Sequence, residues 1–301
     1  MPDYKVAVAG LGTMGMGIAV SALRGGLTVT GCDINQDARV KFQEAGGAVS
    51  EQLADAVADA DALAVVVVNQ AQTESVLFGA AGAVQHMKPG SVVLGCATVP
   101  PAYAVDLAAR VEAAGLLYLD APISGGAAKS MQGALSVMGS GSAAAFERAA
   151  PLLDVIAERV FRLGDEAGAG SNMKMINQLL AGVHIASAME ALTLGIKSGL
   201  AAETVFEVIT ASAGNSWMFE NRVPHVLEND YAPKSAVDIF VKDLGIVLET
   251  GAREGFPLPL SAAAHQQFLA AKGMGLGRED DAAVIKVFQA LTGIDLPKGK
   301  A

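Results

Sequence analysis

Cysteine is scarce in this 301-residue chain. The two present, Cys32 and Cys96, both fall in apolar runs that read as strands. A disulfide framework is therefore not expected, and a reducing, cytoplasmic compartment fits. Basic residues are also few: Lys and Arg number 21 against 31 Asp and Glu, for a net charge of −10. That argues against a nucleic-acid partner, which usually needs a basic face. It leaves room for a small anionic ligand, because a few local cations can dominate a pocket. No apolar stretch reads as running ~18 residues without a Gly, Asp or Lys, so no membrane span is expected. No leader is expected either, since Asp3 and Lys5 lead straight into a strand. No metal site, internal repeat or low-complexity segment stands out beyond an Ala and Gly bias. What is abundant is apolar residue, 52% of the chain, enough for a substantial core in one large domain or two ordinary ones.

The pattern that organises the rest lies at residues 4–15. Val6–Ala9 is a short apolar run suited to a buried parallel strand. Gly10, Leu11, Gly12, Thr13, Met14 and Gly15 follow with glycines spaced G-x-G-x-x-G. An apolar, Ala-rich helical segment, Met16–Leu23, comes next and stops at Gly25-Gly26. Strand, glycines and helix in this order form the dinucleotide fingerprint. Gly10 would permit the tight turn, Gly12 the approach of a pyrophosphate, and Gly15 close packing of helix on strand.

A second strand, Leu27–Cys32, ends at Asp33. A carboxylate about 20 residues past the glycines can accept both hydroxyls of an adenosine ribose and repels a 2′-phosphate. With only Arg39 nearby to oppose it, the expected cofactor is NAD rather than NADP. The other role open to Asp33 is to cap the next helix, Asp37–Gly46. The segment 48–59 is polar and Ala-rich. Ala62–Val68 reads as a buried strand, with Val68, Asn69 and Gln72 at its carboxyl end, the end that faces ligands in an open parallel sheet. Ser91–Gly95 is another strand. Thr98 after it is either a cofactor contact or the N-cap of the helix beyond Pro100 and Pro101. Leu116–Leu119 is followed by Asp120-Ala121-Pro122-Ile123-Ser124-Gly125-Gly126, where Ser124, Gly125 and Gly126 can present backbone N–H groups to an anion. Leu135–Met138, a helix at Ala143–Ala157 and a short strand at Val160–Leu163 complete the first half.

Gly164, Gly168 and Gly170 mark a joint. Beyond it the periodicity is helical throughout: a long helix at about 171–198, then helices near 202–212, 217–227, 235–254, 259–272 and 281–291. Strands and helices followed by helices alone mean two domains: an α/β Rossmann-type dinucleotide-binding domain over 1–164 and an all-α substrate and oligomerisation domain over 165–301, joined by the long helix. Lys174 lies in the first turns of that helix, with Asn177 and Gln178 at i+3 and i+4 on the same face. Such a Lys either points to solvent or enters the crevice between domains, where ligands bind. Lys242 and Asp243 interrupt an apolar helix, as salt-bridged surface or as part of the same chemistry. Asn215–Arg222 contains the single Trp, Trp217, and Arg222 as a candidate for binding a carboxylate. Trp217 and Phe219 otherwise read as core.

Four stretches, Gly10–Gly15, Asp120–Gly126, Gly168–Gln178 and Phe240–Leu244, occur in the order found in the β-hydroxyacid dehydrogenases. The chain resembles that family, which includes 3-hydroxyisobutyrate dehydrogenase, along its whole length. Asn69–Gln72, Ala213–Arg222 and Ser235–Gly245 look like its L-threonate dehydrogenase branch. The resemblance implies that Lys174 is the catalytic base for oxidation. It implies that Ser124, Gly125 and Gly126 hold the substrate carboxylate, that Lys242 lies near the nicotinamide with Asp243 beside it, and that Gln72 and Thr98 contact the cofactor. One departure is Gln178, where the family usually has Asn.

The expected activity is oxidation of a short hydroxy acid by NAD, with L-threonate the first choice of substrate. An amine that must accept a proton is expected to have its pKa held down by the apolar joint or by Lys242. The alternatives are 3-hydroxyisobutyrate oxidation, reduction of tartronate or succinic semialdehyde with NADPH, a dinucleotide-binding module without chemistry, and an imine reductase. Lys174 speaks against the last two. Ile196, Leu200 and Phe206 suggest that a partner subunit covers the helical half, as a homodimer or homotetramer.

Overall fold

The computed structural model describes residues 4–299. Asp3, which enters the expectation of no leader, lies outside them. The chain divides into two compact units, Met1–Lys174 and Met175–Ala301.

The first unit is built on a six-stranded, all-parallel sheet. Its strands are β1 (Lys5–Ala9), β2 (Thr28–Cys32), β3 (Ala48–Ser50), β4 (Ala62–Val65), β5 (Val92–Gly95) and β6 (Leu117–Asp120). Their spatial order is β3-β2-β1-β4-β5-β6. The order reverses between β1 and β4, which is where an open α/β sheet opens a crevice at its carboxyl edge. The alternation of strand side chains explains how both faces are covered. Val6 and Val8 of β1 join one core with Ile18 of α1 (Thr13–Arg24) and Leu152 of a later helix. Ala7 and Ala9 join the opposite core with Leu107 and Val111 of another.

Between them come α2 (Gln36–Glu44), α3 (Leu53–Val57), α4 (Gln70–Phe78) and α5 (Pro101–Ala113). A second sheet follows β6: β7 (Ile123–Ser124), α6 (Gly126–Gln132), β8 (Leu135–Gly139), α7 (Ala143–Ile156) and β9 (Ala157–Arg162). In it β7 runs antiparallel to β8, and β8 parallel to β9. An isolated antiparallel bridge between Asp120 and Ser140 joins the end of β6 to the residue just past β8.

The structure adds α4 to the elements the sequence suggests, a nine-residue helix whose only buried side chains, Thr73 and Leu77, leave no apolar stripe to read. It also adds β3, α3, β7 and α6, each seven residues or shorter, too short to show a period. The strand expected over Ala62–Val68 ends at Val65; Val66–Val68 turn across Gly10 toward α4.

The 29-residue helix α8 (Ala169–Lys197) begins in the first unit and continues into the second. By length and composition it would reach across a membrane, beyond the limit expected for any stretch of this chain. Half of that window is buried within the fold, as in a core helix. The rest of the second unit is helical: α9 (Ala202–Thr210), α10 (Trp217–Leu227), α11 (Val237–Glu254), α12 (Pro259–Gly273) and α13 (Ile285–Thr292), the last entered through a 3-10 turn at Asp281–Val284. Ile185 and Met189 of α8, Phe219 and Val223 of α10, Leu244 of α11 and Phe268 of α12 share its core.

Candidate active site

The glycine loop meets three separate geometric demands. Gly10 has φ +96°, and a Cβ there would lie 2.5 Å from the Val66 carbonyl oxygen. At Gly15 a Cβ would fall 1.8 Å from the Gly10 oxygen, so α1 sits directly on the turn. Gly12 differs: a Cβ there would meet no atom within 4 Å, because the loop is open on that side. Gly12 is the N-cap of α1 and has no side-chain cap. The helix ladder begins with the Met16 N–H donating to the Gly12 oxygen at 2.8 Å. The N–H groups of Thr13, Met14 and Gly15 precede that ladder and form the positive end of the helix. A cradle that is closed at Gly10 and Gly15 and open at Gly12 fits the pyrophosphate of a dinucleotide. Leu11 anchors the loop from below, 2% exposed.

Asp33 follows β2. Its Oδ2 accepts the Leu11 N–H at 2.6 Å and its Oδ1 the Asn35 N–H at 2.7 Å. The cap of α2 is Asn35, not Asp33. Arg39 donates to the Asp33 backbone oxygen at 2.7 Å and to Glu51 at 2.6 Å, so its guanidinium is engaged on both sides.

Val68, Asn69 and Gln72 form a closed local cap on α4. Asn69 Oδ1 accepts the Gln72 N–H at 2.9 Å, and Gln72 Oε1 accepts the Val68 N–H at 2.8 Å. Each oxygen thus has one lone pair engaged in the cap, and their amide N–H groups remain to offer a ligand. Thr98 lies between β5 and α5. Pro100 takes the N-cap position of that helix, so Thr98 does not cap it. Ser124 ends β7, and Gly125 (φ +138°) and Gly126 (φ +72°) lead into α6. Ser130 of that helix donates to the Met14 oxygen at 2.7 Å, tying α6 to α1 beside the glycine loop. Gly17 permits the approach, since a Cβ there would be 2.3 Å from Ser130 Oγ.

Lys174 is 8% exposed, one turn into α8, so the solvent-facing alternative does not hold. The start of this helix is held by the sheet rather than by its own sequence. Asp120 Oδ2 accepts the N–H groups of Gly168 at 2.9 Å and Ser171 at 2.8 Å, and Asp120 Oδ1 accepts the Ser171 hydroxyl at 2.7 Å. Ser140 donates to Asp120 Oδ2 at 3.3 Å and accepts the Gly170 N–H at 2.9 Å. Burial raises the Asp120 pKa, against the lowering effect of the bonds from Ser171, Gly168 and Ser140.

In the second unit Asn177 donates to Gln178 Oε1 at 2.9 Å, Gln178 donates to Asp243 Oδ2, and Lys242 donates to Asp243 Oδ1. Asp243 is 1% exposed, so this is a buried polar cluster and not surface. Gly182 lets α8 approach α11 one turn further on, where its Cβ would meet Leu244 Cδ1 at 2.9 Å. Arg222, the proposed carboxylate binder, is buried and bound through two nitrogens to Asp281, with a third on Asn221. It is structural, because a guanidinium satisfied in this way has no fork left for a ligand. Trp217 is 53% exposed rather than core, while Phe219 is buried. Asn215 donates to Glu220 at 2.6 Å, and its Oδ1 is buried with no hydrogen-bond partner.

Residues 5–164 match the family described as the NAD binding domain of 6-phosphogluconate dehydrogenase. Residues 168–288 match the NAD-binding family of NADP-dependent 3-hydroxyisobutyrate dehydrogenase. The chain belongs to the β-hydroxyacid dehydrogenases. A member of this family from Cupriavidus necator, L-threonate dehydrogenase, is 54% identical over 297 residues, 99% of each chain. L-threonate dehydrogenase of Escherichia coli K12 is 49% identical over 300 residues, 99% of this chain and 98% of that one. The crystal structure of a 3-hydroxyisobutyrate dehydrogenase from Salmonella typhimurium superposes with a TM-score of 0.91 at 49% identity, covering 95% of this chain and 100% of that one.

This β-hydroxyacid dehydrogenase is thus an NAD-dependent oxidoreductase acting on CH–OH, with a Rossmann-type unit followed by a helical one. Asp120 and Ser171 lie inside two of the stretches that resemble the family but carry no role of their own there, and Ser140 lies outside all four. Their one sequence signal is negative: α8 starts at Gly168-Ala169-Gly170 with no Ser, Thr, Asp or Asn at the cap position.

Proposed function

We propose that this dehydrogenase oxidises L-threonate to its 2-keto acid, with Lys174 as general base and NAD as hydride acceptor. The observation that carries the catalytic assignment is Lys174 itself, buried one turn into a helix whose start is clamped to the end of β6. The L-threonate activity named for the relatives at 49–54% identity supports the substrate. The dinucleotide, when bound, accepts hydride from the carbinol carbon. Lys174 takes the hydroxyl proton, for which its amine needs a free lone pair. Ser124, Gly125 and Gly126 receive the carboxylate on backbone N–H groups, Gly10–Gly15 and Asp33 hold the dinucleotide, and Val68, Asn69, Gln72 and Thr98 line its path.

Asn177, Gln178, Lys242 and Asp243 serve the polyol hydroxyls and the nicotinamide side. Gln178 is already engaged at both ends of its amide, so its first role is to hold Asp243, and Asn177 is the more available donor. The domain division 1–164 and 165–301, the reducing cytoplasmic location supported by two free thiols, and a homodimer or homotetramer belong to the same reading. The oligomer is supported by exposed apolar side chains at Leu194, Leu200 and Val208; Ile196 and Phe206 instead pack on the helical core.

A screen of C3–C5 hydroxy acids with NAD and NADP tests this, including both enantiomers of threonate and erythronate. The highest kcat/KM is expected for L-threonate with NAD. The second reading, 3-hydroxyisobutyrate oxidation, takes its support from the Salmonella structure and would win if that acid were preferred.

A further inference from the structure

Four hydrogen bonds to Asp120 and Ser140 hold the N-terminus of α8, and none comes from a side chain at its own cap position. Gly168, with φ +110°, has no side chain to offer. The Gly168 and Ser171 N–H groups go to Asp120, 48 and 51 residues earlier, and the Gly170 N–H goes to Ser140, 30 residues earlier. Asp120 and Ser140 are themselves locked together, N–H to carbonyl in both directions at 3.0 and 2.8 Å. A Cβ at Gly170 would lie 2.3 Å from the Met138 oxygen, so the helix start also lies directly against the strand ends. All of these groups belong to one compact unit.

Lys174 is the third residue after Ser171 and the fourth after Gly170, the spacings that share one face of a helix. A shift of this turn therefore carries the Lys174 Cα with it. We infer that Asp120, seconded by Ser140, is a positioning residue for catalysis: by gripping the first turn of α8 it sets where the Lys174 amine stands against the substrate hydroxyl. The inference rests on Lys174 as the general base. Misplacement of a catalytic group by 1 Å costs about 10²-fold in rate.

The chemistry of the grip also says what must be kept. Two of the donors are backbone N–H groups on Oδ2, and the Ser171 hydroxyl lies on Oδ1. Asn in place of Asp can keep an oxygen toward the two N–H groups and turn its amide toward the Ser171 oxygen, which accepts as readily as it donates. Ala keeps nothing. Geometry rather than charge is therefore the property that matters.

The test is a double-mutant cycle on the full-length enzyme with L-threonate and NAD, reading kcat, KM and NAD affinity. Asp120→Ala is expected to lower kcat about 10²-fold and to leave NAD affinity largely unchanged, since Asp120 is not among the residues proposed to hold the dinucleotide. Asp120→Asn is expected to recover most of kcat. In a Lys174→Ala background Asp120→Ala is expected to cost nothing further, because residues that act as a unit are non-additive. An equal loss in both backgrounds, or a kcat unmoved by Asp120→Ala, overturns the inference. If Asp120→Ala does not fold, Ser140→Ala takes its place in the cycle, with a several-fold loss of kcat expected only where Lys174 is present; the same loss in both backgrounds, or none, overturns it. The base assignment fails separately: Lys174→Ala with more than about a tenth of wild-type turnover overturns it and this inference together, since a general base contributes 10²–10⁴-fold.

Discussion

Asp33 Oδ2 accepts the Leu11 N–H at 2.6 Å, so the residue expected to hold the ribose also holds the middle of the glycine loop. On the proposed role of Asp33, one carboxylate couples cofactor choice to loop shape. Asp33→Asn separates the two, because an amide oxygen can still accept the Leu11 N–H while the charge is gone. Its kcat/KM with NAD is expected to fall about tenfold, as for loss of a charged hydrogen bond, and the ratio of NADP to NAD activity to rise. Steady-state rates with both cofactors decide it; an unchanged ratio would show that the charge does not select the cofactor.

The glycines divide into those that fold the loop and Gly12, which is open to solvent and is proposed to receive the ligand. Gly15→Ala drives a methyl into the Gly10 oxygen and is expected to destabilise the protein by about 1–3 kcal/mol or more. Gly12→Ala enters open space and is expected to leave stability within about 0.5 kcal/mol while NAD binding weakens strongly. Thermal unfolding and NAD titration on both variants measure the contrast. Tight NAD binding by Gly12→Ala would place the pyrophosphate elsewhere.

Gln178 satisfies one oxygen of the buried Asp243, and Lys242 the other. Gln178→Ala leaves that oxygen without its donor, at an expected cost of about 1–3 kcal/mol. Gln178→Glu places a second carboxylate there and is expected to cost more at pH 8 than at pH 5, where one of the pair can carry a proton. Urea denaturation at the two pH values reads both effects. A pH-independent Glu variant would mean that the carboxylates do not face each other.

Burial lifts the Asp120 pKa above its usual value of 3.8. Between that value and the raised one, the unfolded chain releases a proton that the folded chain retains, so Asp120's contribution to stability falls as pH rises through the window. Asp120→Asn removes this dependence. The difference in Tm, variant minus wild type, is expected to grow more positive from pH 4 to pH 7. A flat difference would mean that the four donors around the carboxylate fully offset its burial.

Much of this enzyme was legible locally. β1, the three glycines, α1 and Asp33 stand within 33 residues and announce themselves by spacing alone, because hydrophobic period, glycine permissiveness and strand-end position are properties of neighbours in the chain. The helices of the second half were equally clear, since each is long enough to show a 3.6-residue period. Lys174 could be picked out as an odd cation at the start of an apolar helix.

Other relationships were decided only when distant segments met. Arg222 has the composition of an anion binder until Asp281, 59 residues on, takes its guanidinium. Gln178 looks like a free amide until Asp243, 65 residues away, receives it. The cap of α8 belongs to Asp120 and not to α8. In each case the sequence by itself determined which groups need a partner, a charge or a helix end that cannot be left bare in a dry interior. Only the tertiary structure decided which partner it is, because a hydrogen bond depends on ångström distances that residue identity does not encode.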